Sequence, residues 1–246
     1  MAGRVALVTG GGSGIGRAVV SLFAEAGAFV VFTDVQAPSE PPPQANATFV
    51  RADATVEDDA AAAVAETLHK HGRLDILVNN VGNFGAGDRA QIPFEEIELE
   101  AWDNTMRQCL TSCMLGMKHA LRPMTAAGSG AIVNISALAG IRVTRFASYA
   151  YHAAKAGVVH LSEAAAVLYA PQGIRVNVVA PGLTLTPKIE TGMDAATRTT
   201  ITSEFHPNGR MIQPREIAEA CLWAASDRSS GVTGLVIPVD GGWAAR

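Results

Sequence analysis

Five glycines fall within the seven residues Gly10–Gly16, between an apolar run, Val5–Val8, and an alanine- and valine-rich stretch that starts at Gly14. A glycine loop that leaves a strand and opens a helix is a βα turn, because without Cβ atoms the backbone can turn tightly and come close to a ligand. A strand that leads into a helix finds its next partner through a crossover, so the chain is committed to parallel strands covered by helices.

The rest of the sequence keeps that alternation. Strands are predicted at 4–9, 29–33, 47–52, 74–79, 131–135, 175–179 and 235–239. Helices are predicted at 14–26, up to about 69, at 98–124, up to about 169, and at 214–225. Residues 182–212 read as irregular or loosely helical. Ala37–Gln44 carries four prolines and reads as a stiff surface loop replacing a helix, in preference to a polyproline ligand. No linker or repeat interrupts the pattern. Residues 1–246 are therefore expected to form a single α/β domain, a Rossmann-like doubly wound parallel sheet with helices on both faces.

Composition narrows the partners. A net charge of −4 argues against nucleic acid, which requires a basic patch. No stretch is long enough to span a membrane, and Val5–Val8 is too short for a signal peptide, so a cytoplasmic protein without a leader is expected. Cys109, Cys113 and Cys221 are odd in number and not closely paired, which reads as reduced thiols. Cys109 and Cys113 share a helix face, but no further Cys or His completes a metal set. Buried thiols and no metal site are expected.

The loop residues Gly10, Ser13, Gly14, Ile15 and Gly16 suit a dinucleotide pyrophosphate, which the helix N-terminus meets with free N–H groups and a positive dipole end. Asp34 closes the second strand, where an acid accepts hydrogen bonds from the adenosine ribose. Its charge repels a 2′-phosphate, and no Arg or Lys follows it. NAD is expected over NADP. The alternative reading of Asp34, a cap or turn residue, fits poorly with the proline-rich loop that comes next.

Further motifs complete a pattern: Asn79-Asn80-Val81-Gly82, Tyr151-xxx-Lys155, Pro181-Gly182 and Val239-Asp240-Gly241-Gly242. With the glycine loop, in this order and spacing, the chain resembles the short-chain dehydrogenase/reductase family along essentially its whole length. The resemblance implies a set of roles. Asp53 would meet the adenine, with Ala54 beside it in the cofactor site. Asn79 and Asn80 would support the central strand and the ribose region. Pro181, Gly182 and Leu183 would border the cofactor, and Thr186 would hold the nicotinamide carboxamide. Lys155 would bind the nicotinamide ribose and lower the pKa of Tyr151, and Tyr151 would exchange a proton with the substrate oxygen. A free tyrosine, with a pKa of about 10, is a poor base at neutral pH, so a neighbouring cation is needed. A tyrosine and a lysine four apart also occur on ordinary solvated helix faces, but this context favours the catalytic reading.

Two positions depart from the family. The serine expected three residues before Gly140 is Ala137, which cannot donate a hydrogen bond to the substrate oxygen; whether Ala137 is natural or an engineered replacement is left open. Ser136 is adjacent. It either stands in as a catalytic residue, if the strand end bends, or is a strand residue satisfied by backbone, since neighbours on an extended strand point to opposite faces. The asparagine expected seven residues after Trp102 is Cys109, a weak hydrogen-bonding group.

The substrate edge is expected to include Asn83, Phe84, Leu138, Val143, Phe146, His152, Leu183 and parts of 188–210. Most are apolar or small, so a neutral, largely apolar alcohol or ketone is expected. Arg142 and Arg145 are near, but no arginine is clearly aimed at the site. Residues 188–210 are a candidate substrate lid, and His206 within it reads as a surface residue. The family commonly forms tetramers. Met106, Leu110, Met114, Met117 and the C-terminal end with Trp243 suit such an interface, and for the four helix residues buried core is an equal reading. The function expected is NAD-dependent interconversion of a secondary alcohol and a ketone. The rival is a catalytically weakened NAD-binding sensor or partner subunit. Non-redox chemistry is disfavoured because it would not need the nicotinamide site.

Overall fold

The computed structural model describes residues 1–40 and 42–246. Seven strands form one parallel sheet: β1 (Val5–Thr9), β2 (Phe29–Asp34), β3 (Ala47–Arg51), β4 (Ile76–Asn79), β5 (Gly130–Ile135), β6 (Ile174–Pro181) and β7 (Val236–Val239). Their order in space is β3-β2-β1-β4-β5-β6-β7. The helices are α1 (Gly14–Glu25), α2 (Glu57–His71), α3 (Leu99–Met106), α4 (Ser112–Ala127), α5 (Tyr149–Tyr169), α6 (Pro187–Gly192), α7 (Ala195–Phe205) and α8 (Pro214–Ala225).

Side-chain alternation along the strands divides the core into two layers. On β1, Ala6 and Val8 face α1 and α8 and join Val19, Val20, Phe23, Ile217 and Cys221. Leu7, between them, faces the opposite side with Val64 of α2, Met117 and Met124 of α4, and Val158 and Ala166 of α5. Every β1, β4 and β5 residue is buried, because helices cover both faces of the sheet centre. The doubly wound sheet expected from the sequence is present.

Local chemistry sets the helix ends. Helix α2 begins with Glu57, Asp58 and Asp59, ends with His69, Lys70 and His71, and stops at Gly72 in the left-handed region. The three acids at the start and Lys70 at the end oppose the helix dipole. Helices α3 and α4 form one continuous rod, joined by a single π-helical turn at Arg107–Thr111. Of the Ala37–Gln44 segment, Pro41 lies outside the described residues, and the remainder carries no helix or strand. Residues 182–212, expected to be loose, hold two ordered helices, α6 and α7. Among the described residues no helix is long and apolar enough to cross a membrane, and no cluster of three metal-ligating side chains occurs. Cys109, Cys113 and Cys221 are buried free thiols.

Candidate active site

The chain leaves β1 toward β2 on one side and returns to β4 on the other, so the loops beyond these two strands diverge and open a crevice. A cavity of about 830 Å³ occupies it. Gly10, Ser13, Gly14, Ile15, Asp34, Asp53, Ala54, Asn80, Pro181, Gly182, Leu183 and Thr186 all line this cavity, and so do Tyr151, Lys155 and Ser136.

The glycine loop is built for close approach. Gly10 and Gly14 have φ of +65° and +53°, a region that L side chains rarely adopt. The Gly12 N–H donates to Asp34 Oδ2 at 3.0 Å, and the Val35 N–H donates to Asp34 Oδ1 at 2.8 Å. The carboxylate is thereby fixed at the end of β2, with acceptor capacity left for ribose hydroxyls. Asn80 Nδ2 donates to Gly10 O at 2.9 Å and so ties the loop after β4 to the loop after β1. Gly16 departs from expectation. It does not line the cavity; a Cβ there would run into Gly10 O, so its role is to let α1 pack against the loop. Gly16→Ala is expected to displace the loop and abolish NADH binding, measured by fluorescence titration.

The far end carries the proton-transfer groups. Ser148 caps α5 by accepting from the Tyr151 N–H at 3.0 Å. Asp88 accepts from the hydroxyls of Ser148 and Thr105, which ties the start of α5 to α3. Phe84 meets the Tyr151 ring edge-on at 4.8 Å between centroids. Lys155 is buried, donates from Nζ to Ile135 O at 2.9 Å, and stands 5.7 Å over the Tyr151 ring. A Cβ at Gly82 would collide with that ammonium group, so this glycine makes room for it. The family resemblance implied a lowered Tyr151 pKa. In the protein alone the reverse holds: burial, with a smaller contribution from Cys109, raises it.

Ser136 takes the backbone-satisfied course. Its hydroxyl donates to Lys155 O at 2.8 Å, and its N–H continues the ladder to Val179 O at 2.8 Å. No bend turns its hydroxyl hydrogen toward a substrate. Ala137 is extended (φ −160°, ψ 165°) and lines the cavity. Cys109 lies in the π-helical turn and donates to Asn83 O at 3.2 Å; burial raises its pKa.

The substrate edge differs in detail from the sequence reading. Asn83, Phe84, Leu138, Phe146 and Leu183 line the cavity, with Lys188, Ile189, Met193 and Ile201 from the 188–210 segment. Val143 does not; it is 93% exposed. His152 braces the loop instead: its Nε2 accepts from the Thr144 N–H at 3.0 Å and its Nδ1 meets Ser148 O at 2.7 Å. Arg145 is bound to Glu204 and Arg142 to Ala244 O. His206 is not a surface residue. It is 1% exposed, packs against Trp243, and burial lowers its pKa. The sequence reading missed Asn104, Arg107, Gln108 and Thr144, and it placed Trp243 at an interface rather than here; all five line the cavity.

The chain is similar to known proteins along nearly its whole length. The profile of the family described as Enoyl-(Acyl carrier protein) reductase matches residues 10–244. Cis-4-hydroxycyclohexanecarboxylate dehydrogenase of Sinomonas cyclohexanicum is 44% identical, over 98% of this chain and 97% of that protein. A 2,5-dichloro-2,5-cyclohexadiene-1,4-diol dehydrogenase of Sphingobium indicum is 37% identical, over 100% of this chain and 98% of its own. The crystal structure of levodione reductase superimposes with a TM-score of 0.91 at 33% identity, covering 100% of this chain and 99% of that one.

Proposed function

The chain belongs to the short-chain dehydrogenase/reductase family, and on that premise we propose that it is an NAD-dependent dehydrogenase of a secondary alcohol borne on a six-membered carbocycle. The observation that carries this reading is the placement of Tyr151 and Lys155 in one cavity with the glycine loop and Asp34. Two relatives are named for hydroxylated cyclohexane or cyclohexadiene rings. Phe84, Leu138, Phe146, Met193, Ile201 and Trp243 give the cavity apolar walls that suit such a ring.

Bound NAD supplies the hydride acceptor for the carbinol carbon. Asp34 holds the adenosine ribose, the Gly10–Ile15 loop the pyrophosphate, and Thr186 the carboxamide end. Lys155, anchored on Ile135 O, offers its remaining N–H donors to the nicotinamide ribose and its charge to the Tyr151 phenolate. Tyr151 takes the alcohol proton in oxidation and returns one in reduction. The 188–210 segment, through Met193 and Ile201, closes over the substrate.

The deciding assay is NADH formation from NAD with cyclohexanols. Turnover establishes the reading; NADH binding with no turnover on any alcohol leaves the rival, an NAD-binding sensor or partner subunit, which Ala137 and Cys109 motivate. Asp34 gives a separate check. Asp34→Ser is expected to lower kcat/KM for NAD by about ten- to hundredfold, the worth of hydrogen bonds to a charged group, and to raise it for NADP. Assembly as a homotetramer is part of the proposal. Met114, Val167 and Leu168 are exposed apolar residues on α4 and α5, and sedimentation analysis reads the state directly.

A further inference from the structure

One wall of the cavity is a run of polar side chains on a helix. Asn104, Arg107 and Gln108 stand at i, i+3 and i+4 of the α3–α4 rod, so they share a face, and all three line the cavity. This stretch packs on the loop that carries Phe84 to Tyr151. A Cβ at Gly85 would lie 2.6 Å from Asn104 Cβ, and Cys109 Sγ donates to Asn83 O at 3.2 Å. The three side chains therefore sit on the part of the rod nearest the proton-transfer end.

Their polar atoms have no protein partner. Among the described residues the Arg107 guanidinium makes no ion pair or hydrogen bond, although Asp103 lies four residues earlier on the same rod. The amides of Asn104 and Gln108 are likewise without partners, as is that of Asn83, which lines the cavity nearby. Arg107 is exposed and Asn104 and Gln108 are half-buried; a planar cation with two amides on its helix face, lining a cavity that also has apolar walls, suits a carboxylate attached to an apolar body.

We propose that Arg107, with Asn104 and Gln108 beside it, binds a carboxylate on the substrate ring, so that the protein's substrates are alicyclic hydroxy acids rather than neutral alcohols. The proposal rests on the dehydrogenase reading for its ring and hydroxyl, but the anion subsite stands on its own geometry. It departs from the expectation of a neutral substrate, which rested on the apolar or small residues of the substrate edge and on no arginine being clearly aimed there. The relative with 44% identity is named for a ring that carries a hydroxyl and a carboxylate together.

The test separates the subsite from the chemistry. Cyclohexanecarboxylate, which has no hydroxyl to oxidise, and the neutral cyclohexanecarboxamide are titrated by calorimetry into the protein–NADH complex. The expected result is binding of the carboxylate at least about tenfold tighter than of the carboxamide, a charge-assisted fork against a neutral contact. Arg107→Gln is expected to erase that preference, Arg107→Lys to keep part of it, and neither to change NADH affinity. Equal binding of the two ligands, binding of neither at millimolar concentration, or a preference that survives Arg107→Gln overturns the proposal. So does a preference lost in Lys188→Gln and kept in Arg107→Gln, which would put the anion at Lys188, a further cation lining the cavity. Weaker NADH binding in Arg107→Gln also overturns it, by placing the guanidinium on the cofactor phosphates. A carboxylate preference without turnover of any alcohol would defeat the dehydrogenase reading and leave the subsite intact.

Discussion

Tyr151→Phe is expected to lower NADH formation by about a hundred- to ten-thousandfold, the usual contribution of one positioned acid–base group, and to leave NADH binding unchanged. The substitution removes a single oxygen. The ring, its edge contact with Phe84, the Ser148 cap on its N–H and the Lys155 ammonium above it all remain. Loss of activity then reports on proton transfer alone. Burial raises the Tyr151 pKa in the protein by itself, so the phenol is protonated at neutral pH. Alcohol oxidation needs the phenolate and should climb toward alkaline pH. Ketone reduction needs the phenol and should hold at neutral pH and fall as pH rises. The cation of bound NAD, together with Lys155, favours the phenolate, so the oxidation limb should lie below the pKa of the tyrosine in the unliganded protein. Paired pH–rate profiles check both signs, and full activity in Tyr151→Phe would sink the assignment.

Ala137→Ser is expected to raise turnover by up to about a hundred- to thousandfold, the range lost when one preorganised donor is removed at a reacting oxygen. Ala137 is extended and lines the cavity, while Ser136 on the opposite side of the backbone is bonded to Lys155 O. A hydroxyl at 137 would stand in the wall of the cavity that Tyr151 also lines. Kinetics of the two proteins on one substrate make the measurement. An unchanged rate would mean that another cavity donor, such as Asn83 or Thr144, already holds the substrate oxygen.

The sheet was legible in the sequence because its central strands are continuous apolar runs, and the strands alternate with helices everywhere but between β2 and β3. Errors lie where side chains or pairing override local pattern. Leu74–Asn79 shortens to Ile76–Asn79 because Asp75 accepts from the Val5 N–H with its side chain. Strand β6 runs on to Pro181 because that residue is paired with Val239 of β7. Helix α7 was obscure because Ala195–Phe205 is rich in threonine and buries only Ile201, although the Asp194 cap, accepting from the Thr197 N–H at 2.9 Å, was a readable signal. His206 was misplaced because polarity was taken for exposure. Arg107 was missed for a different reason: the loop after β4 packs Asn83 and Gly85 onto this stretch of the rod and so turns it toward the crevice, a tertiary contact that no local pattern records.

The strand order bears on how the molecule is made. After β4, each strand is added next to the one synthesised before it, out to β7 at the edge. Sheet growth over that half is vectorial, and a chain emerging from the ribosome can dock each new strand on a surface that already exists. The residues at the ends of β1, β2 and β4 that shape the crevice, Gly10, Asp34 and Asn80, are all translated before the 188–210 segment and Trp243. The adenosine end of the crevice is thus translated first, and Thr186 and the walls of the substrate end last.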